Sequence, residues 1–246
     1  MSRQRTVAEQ VIAEILAAYR KGFFPMADVR THEITWHNPE IRGVMPLDPG
    51  PEGFHVPRSL RQRVRSGRFR ITCDRAFAAT IVGCADPRRQ GAWIDETIVR
   101  TYRLLHDAGY AHSIEAWLPD EAGEERLVGG LYGVALGGAF FGESMFSRPD
   151  WGGTDASKVC LVHLVAHLRR RGYTLLDTQM WNWHLEQFGC REVEREAFLT
   201  MLKPAAGRRS VTWGEFVALP TDADEPAAER ADMKRLPGGN APGAPD

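Results

Sequence analysis

The sequence predicts a mixed α+β protein, with a small N-terminal α/β lobe followed by a larger domain whose mixed sheet is flanked by helices. Three observations carry this expectation. Two apolar runs of strand character flank Gly137-Gly138, a pair that tolerates the positive φ of a tight hairpin turn. A helical pattern from about residue 155 to Gly172 then leads into another apolar run, Tyr173-Thr174-Leu175-Leu176. Upstream, Pro39, Pro46, Pro49, Pro51 and Pro57 punctuate the chain and confine residues 1 to about 55 to short elements. The larger domain is expected over 56–216, and an acidic, poorly ordered tail over 217–246.

Each element follows from local chemistry. Val7, Val11, Ile15 and Leu16 have helical spacing, with Gly22 as a stop. A Phe23-Phe24-Pro25 corner and two short extended runs, 34–36 and 43–45, complete the small lobe. Phe69-Arg70-Ile71-Thr72-Cys73 reads as a strand, with a short helix near 75–84 after it. Asp95 is placed to cap a helix that buries Ile98, Tyr102 and Leu105 and ends at Gly109. Residues 112–117 alternate as a strand and turn at Pro119–Glu125 into the hairpin. Along its first run Leu131, Gly133 and Ala135 share one face, and Tyr132, Val134 and Leu136 the other. Both faces are uncharged, which is the pattern of a strand covered on two sides. Short helices are expected at about 183–188 and 194–202.

Bulk properties exclude several classes of function. With 43% hydrophobic and 26% charged residues the composition is that of an ordinary globular protein. No apolar run approaches the roughly 20 residues that cross a bilayer. The first residues hold no apolar secretory segment, so a cytoplasmic location without membrane contact is expected. Cys73, Cys84, Cys160 and Cys190 have no zinc-type or C-x-x-C spacing and read as separate reduced thiols. His163 and His167 are four apart on one helix, but no H-E-x-x-H frame surrounds them, and no metal is expected. There is no G-x-S-x-G elbow and no G-x-x-x-x-G-K-[ST] phosphate loop. The net charge of −1 hides an asymmetry. From Val217 on, six acids face three bases, so the preceding 216 residues are mildly basic.

Three constellations could carry chemistry. Glu143 is a lone carboxylate in an otherwise uncharged strand, costly there unless paired or hydrogen-bonded. It is either half of a structural ion pair or a group that binds a substrate cation. Asp177 directly follows an apolar strand and Gln179 comes two residues later, at the strand end where open α/β sheets place their sites. Two acids and an amide there suit binding and deprotonating an amine, against the plainer reading of strand-end capping. Arg58, Arg61, Arg63, Arg65, Arg68 and Arg70 form a cationic stripe. It is either a solvated helix face or a phosphate-contacting surface, since guanidinium forks suit phosphate oxygens.

The order of two strands, helix and strand over 127–179 resembles the core of the acetyltransferase-type (GNAT-like) fold. The loop entering the helix lacks the Gln/Arg-x-x-Gly-x-Gly/Ala cradle of coenzyme A users, which argues against an acyl-CoA donor. A more specific resemblance rests on seven motifs in order between about residues 14 and 202. They are Ala18-Tyr19-Arg20-Lys21-Gly22-Phe23-Phe24-Pro25, Gly91-Ala92-Trp93-Ile94, Ala111-His112-Ser113-Ile114-Glu115, Gly129-Gly130-Leu131-Tyr132-Gly133-Val134, Gly142-Glu143-Ser144-Met145-Phe146-Ser147-Arg148, Ala156-Ser157-Lys158 and Leu176-Asp177-Thr178-Gln179. In these the chain resembles the leucyl/phenylalanyl-tRNA–protein transferases.

The resemblance implies transfer of Leu, Phe or Met from the acceptor end of an aminoacyl-tRNA to proteins with N-terminal Arg or Lys, marking them for degradation. It implies no cofactor, because the tRNA ester is already activated, a monomer, and no dealings with DNA. By the same resemblance Asp177 matches a proposed general base, Gln179 a group holding the reacting centre, and Glu143 an acid for the acceptor's cation. Leu131 and Phe140 match the pocket for the transferred apolar side chain. Trp93 matches an aromatic on the terminal adenine, near Met26 and Trp36; Ser144 belongs to the Glu143 motif. The arginine stripe would hold acceptor-stem phosphates. Departures are Met26 for a tryptophan, His37 for a second aromatic, Trp183 for a small or acidic residue, four extra residues around Asp150–Gly153, and a missing Gly-Gly-Asp-Leu lead-in. An acyl-CoA-dependent N-acetyltransferase, or a relative that binds tRNA or N-termini without chemistry, is the alternative.

Overall fold

The computed structural model describes residues 6–28, 30, 31, 33–86 and 93–224. Gly91 and Ala92 of the Gly-Ala-Trp-Ile motif, and residues 225–246 of the expected tail, lie outside the described residues. Helix α1 (Val7–Arg20) opens with a reciprocal cap, in which Thr6 and Glu9 each satisfy the other's backbone amide. Strands β1 (Phe24–Ala27) and β2 (Ile34–His37) form a two-stranded antiparallel ribbon. Strand β3 (Ile41–Met45), from the stretch anticipated as the small lobe, is a member of the main sheet.

After α2 (Arg58–Arg65) come β4 (Arg70–Cys73), α3 (Phe77–Cys84) and α4 (Glu96–Asp107), whose first turn Asp95 caps through the Ile98 amide. Strand β5 (Ala111–Pro119) leads into the hairpin of β6 (Glu125–Leu136) and β7 (Ala139–Ser147), which turns at Gly137 with φ 58°. Helix α5 (Ala156–Arg171) ends on left-handed Gly172, and β8 (Leu175–Gln179) follows. A short α6 (Trp183–Glu186), then β9 (Arg191–Glu194) and α7 (Arg195–Ala206), complete the elements.

The main sheet has seven strands in the order β4-β5-β6-β7-β8-β3-β9. Every pair is antiparallel except β7–β8. One face carries Tyr19, Phe24, Tyr102, Tyr132, Phe141 and Phe198 with helices α1, α3, α4 and α7. The other carries Leu131, Phe140, Leu161, Leu164 and Leu176 with α2 and α5. This is the helix-flanked mixed sheet that the sequence predicts, and it explains why both faces of β6 are uncharged.

Two short strands escaped the sequence reading. β1 stands where a corner was expected, and β9 occupies four residues just ahead of the expected helix. Arg-Glu-Val-Glu has no apolar alternation; it becomes a strand only because β3 offers it a pairing edge. Residues 217–224, the start of the expected tail, run back over α5. The Leu219 amide donates to His163 Nδ1 at 3.1 Å, and Arg170 donates to the Val217 carbonyl.

Candidate active site

The parallel pair β7–β8 runs in register only from Ala139↔Leu175 to Phe141↔Asp177, and there the ladder ends. Beyond it β7 stays with β6 while β8 stays with β3. Glu143 and Gln179 lie just past this parting, one on each strand, with Gln179 Nε2 3.4 Å from Glu143 Oε1. The local backbone is irregular at both. In the β6–β7 ladder Tyr132 faces Ser144 and Gly133 faces Gly142, so Glu143 is the extra residue of a bulge. Bulges of this kind re-aim a side chain beside a site. Gln179 has φ 56° and is the centre of a three-residue turn closed by the Met180 amide on the Thr178 carbonyl at 2.7 Å. A non-glycine residue in that conformation is held by its surroundings.

What holds it is Asp177. Its Oδ1 accepts the Gln179 amide at 2.9 Å, and both its oxygens accept from Arg42, Nε at 2.8 Å and Nη2 at 2.6 Å. Arg42 and Asp177 are completely buried. The guanidinium lies between the rings of Phe24 and Phe198, 4.7 and 4.4 Å from their centroids, and donates its third group to the Gly22 carbonyl at 2.8 Å. Each nitrogen of the guanidinium and each oxygen of the carboxylate therefore has a partner, the condition under which a buried pair is tolerated. Gly43 lies beside the turn, where a Cβ would come within 2.7 Å of the Trp181 amide nitrogen. Its missing side chain lets the chain fold back after Gln179.

Glu143 has a different environment. Its Oε1 accepts from Tyr19 Oη at 2.7 Å and its Oε2 from Tyr102 Oη at 2.9 Å; the two phenol oxygens are 2.5 Å apart. These partners are phenols and an amide, not the basic side chain that the ion-pair reading requires. Burial pushes its carboxyl up to about 7, the phenol hydrogen bonds oppose that rise, and the charge of Asp177 adds to it. Burial and the adjacent carboxylate in turn raise both tyrosines well above the usual phenol value. The arrangement can present a carboxylate that changes charge near neutral pH, beside an amide with a fixed orientation.

The remaining sequence candidates are spread over several places. Leu131 and Phe140 are buried in the α5-side layer, across the sheet from Tyr19 and Tyr102, and Phe140 pairs in register with Leu176. Trp93 and Met26 are half-buried against the opposite layer and joined by a backbone bond from Ala27 to the Trp93 carbonyl. Trp36 stands exposed on β2, and Ser144 sits half-buried opposite Tyr132. Trp183, one of the departures, is 67% exposed.

The arginine stripe begins on α2 and is partly engaged by the chain itself. Arg61 donates to the Val56 carbonyl, Arg63 to the Thr154 carbonyl, Arg68 to the Gly152 carbonyl, and Arg65 and Arg70 pair with Asp222 and Glu125. Arg58 is exposed. His163 receives the Leu219 amide and His167 packs on Trp213, so both are occupied in holding the C-terminal segment. Among the described residues no group of three or more His, Cys, Asp or Glu is placed to hold a metal. The four cysteines are unbridged, and no helix among the described residues is long and apolar enough to cross a membrane.

Sequence reasoning missed Arg42, Tyr19 and Tyr102 as site residues. Tyr19 lay inside a quoted motif, and Tyr102 at an expected buried helix position. Arg42 carried no local signal, because its partner is 135 residues away.

A helix-flanked mixed sheet that parts at a parallel strand pair, with an acid and an amide side by side at the parting, is the architecture of the acetyltransferase-type (GNAT-like) fold. In fold the chain resembles the FemX crystal structure, with a TM-score of 0.50 at 11% identity over 63% of this chain and 60% of that one. Two family models match: the leucyl/phenylalanyl-tRNA protein transferase over residues 49–203 and its N-terminal domain over 12–40. The enzyme of that name from Salinibacter ruber is 48% identical over 87% of this chain and 88% of its own. That from Hyphomonas neptunium is 49% identical over 78% and 70%. The chain belongs to the leucyl/phenylalanyl-tRNA–protein transferase family.

Proposed function

We propose that this chain moves Leu, Phe or Met from aminoacyl-tRNA to the N-terminal Arg or Lys of acceptor proteins, acting as a cytoplasmic monomer without a cofactor. The acceptor's amine nitrogen forms an amide with the ester carbonyl carbon. The bond to the terminal ribose oxygen breaks, and the proton lost by the amine ends on that oxygen. The observation that carries this reading is the pairing of Glu143 and Gln179 across the parting of β7 and β8.

Glu143, when ionised, holds the acceptor's cation, and Gln179 orients the reacting centre. Asp177 acts as a positioning residue. Both its oxygens are engaged by Arg42, and its contact to the Gln179 amide fixes the strained turn. That geometry favours orientation over proton removal by Asp177, and much of the rate enhancement then comes from placing the amine against an activated ester. Leu131 and Phe140, buried across the sheet from the phenols on Glu143, would meet the transferred side chain through the opening between β7 and β8 and select it by volume, because Leu, Phe and Met share little else. Trp93 receives the terminal adenosine with Met26 and Trp36 of the β1–β2 ribbon, Ser144 contacts substrate beside Glu143, and the stripe Arg58–Arg70 holds acceptor-stem phosphates. The N-terminal lobe assigned to the chain before residue 56 shares the main sheet with the transfer domain through β3.

The test is a donor panel of Leu-, Phe-, Met- and Asp-tRNA against peptides ending in Arg, Lys or Asp, with acetyl-CoA as a rival donor. Transfer of the apolar amino acids to Arg- and Lys-ended peptides is expected. Incorporation of acetyl alone sinks the proposal.

A further inference from the structure

We propose that Trp151 and the arginines around it bind the unpaired nucleotides that connect the acceptor stem to the transfer site; this rests on the function proposed above. The loop that follows β7 contains a 3₁₀ turn, Pro149–Trp151, which displays the indole 43% exposed. Arg126, itself exposed, lies 3.7 Å from the ring centroid, and Arg148 lies 5.6 Å away. The same loop is tied to the arginine stripe at two points, Arg68 Nη2 on the Gly152 carbonyl at 3.0 Å and Arg63 Nη1 on the Thr154 carbonyl at 3.1 Å. Trp151 thus places an exposed aromatic ring beside the guanidinium groups that adjoin the stripe.

Two arguments select single-stranded RNA as the occupant. An exposed indole interleaved with guanidinium groups offers stacking to base faces, which are available only where bases are unpaired. A duplex, by contrast, needs the cations without the ring. The second argument is position. β7 runs from Glu143 to Ser147, about 13 Å at an extended rise, and the Trp151 loop starts there and ends against α2. A strand whose last ester lies at the parting and whose stem lies on the stripe must cross this loop. Acids are present too: Arg148 pairs with Asp86, Arg63 with Asp155, and Arg70 and Arg75 with Glu125, while exposed Asp150 lies in the turn itself, so Arg126 is the cation best placed to meet a phosphate.

The test measures binding of aminoacyl-tRNA, and of the same tRNA trimmed of its unpaired 3′ nucleotides, as a function of salt. Trp151→Ala is expected to raise Kd for intact tRNA about tenfold and to leave the salt slope unchanged. Trp151→Phe recovers most of that affinity. Arg126→Ala is expected to flatten the slope of log Kd against log salt by about one. Trimmed tRNA should not distinguish Trp151→Ala from wild type, and neither should the rate of transfer from aminoacyl-adenosine. An unchanged Kd for intact tRNA in Trp151→Ala, with normal melting, overturns the inference, as does an equal loss on trimmed tRNA. If wild type transfers from neither donor, the function proposed above fails instead.

Discussion

Two carboxylates lie on adjacent strands of one sheet and live in opposite surroundings. Asp177 is sealed beside a guanidinium that meets both its oxygens, sandwiched between two phenyl rings. Glu143, the extra residue of a bulge, accepts hydrogen bonds from neutral donors among the described residues and is raised to about 7 by burial, with Arg42 opposing that rise through its charge. A matched charge makes an acid a structural part. Neutral donors around a carboxylate at a strand parting leave it free to change charge in the range where an amine arrives.

Removing the guanidinium should have the largest effect. Arg42→Met leaves a buried carboxylate without its counter-charge, and a loss of about 3–5 kcal/mol in unfolding free energy is expected by chemical denaturation. A loss below about 1 kcal/mol would mean that the two acids are not so different after all. Pairing the change with Asp177→Asn should recover much of the stability, because both charges then leave together.

The next effect is in the pH profile. Once the acceptor amine's own ionisation is divided out, kcat/KM should rise about tenfold between pH 6 and pH 8 where Glu143 must be ionised, and Glu143→Gln should lose that remaining limb along with activity. The stability sign is the reverse. A carboxyl raised from its ordinary 4.5 to about 7 favours folding below its unfolded value, and that contribution is lost as pH rises through 7. Wild type should therefore melt relatively higher at pH 5 than at pH 8, and the Gln variant should show less of this trend. A profile that keeps its limb in Glu143→Gln assigns the titration to another group.

The smallest effect comes from the phenols. Each donates to the ionised carboxylate and so opposes the rise. Tyr19→Phe should move the rising limb toward higher pH by about half to one unit, the worth of one hydrogen bond. A downward move would show that the hydroxyl favours the protonated acid.

Much of this was legible in the sequence. The hairpin at Gly137-Gly138, the cap at Asp95 and the stop at Gly172 are local signals, and the structure has each of them. Glu143 stood out because a charge in an apolar run has a cost that invites a reason, and Asp177 with Gln179 because they follow an apolar strand at its end. The bulge at Glu143 and the turn at Gln179 were not legible, since both depend on which strand lies alongside. β9 has no apolar alternation and needed the edge of β3.

By itself, the sequence determined most of the elements, the helix-flanked sheet and the presence of acids and an amide at a strand end, because periodicity, capping and turn chemistry act over a few residues. Only the tertiary structure decided what each acid does. Arg42 reaches Asp177 across 135 residues and Tyr19 reaches Glu143 across 124. A carboxylate's charge is set by whatever the fold brings within a few ångströms of it, and no local pattern carries that distance.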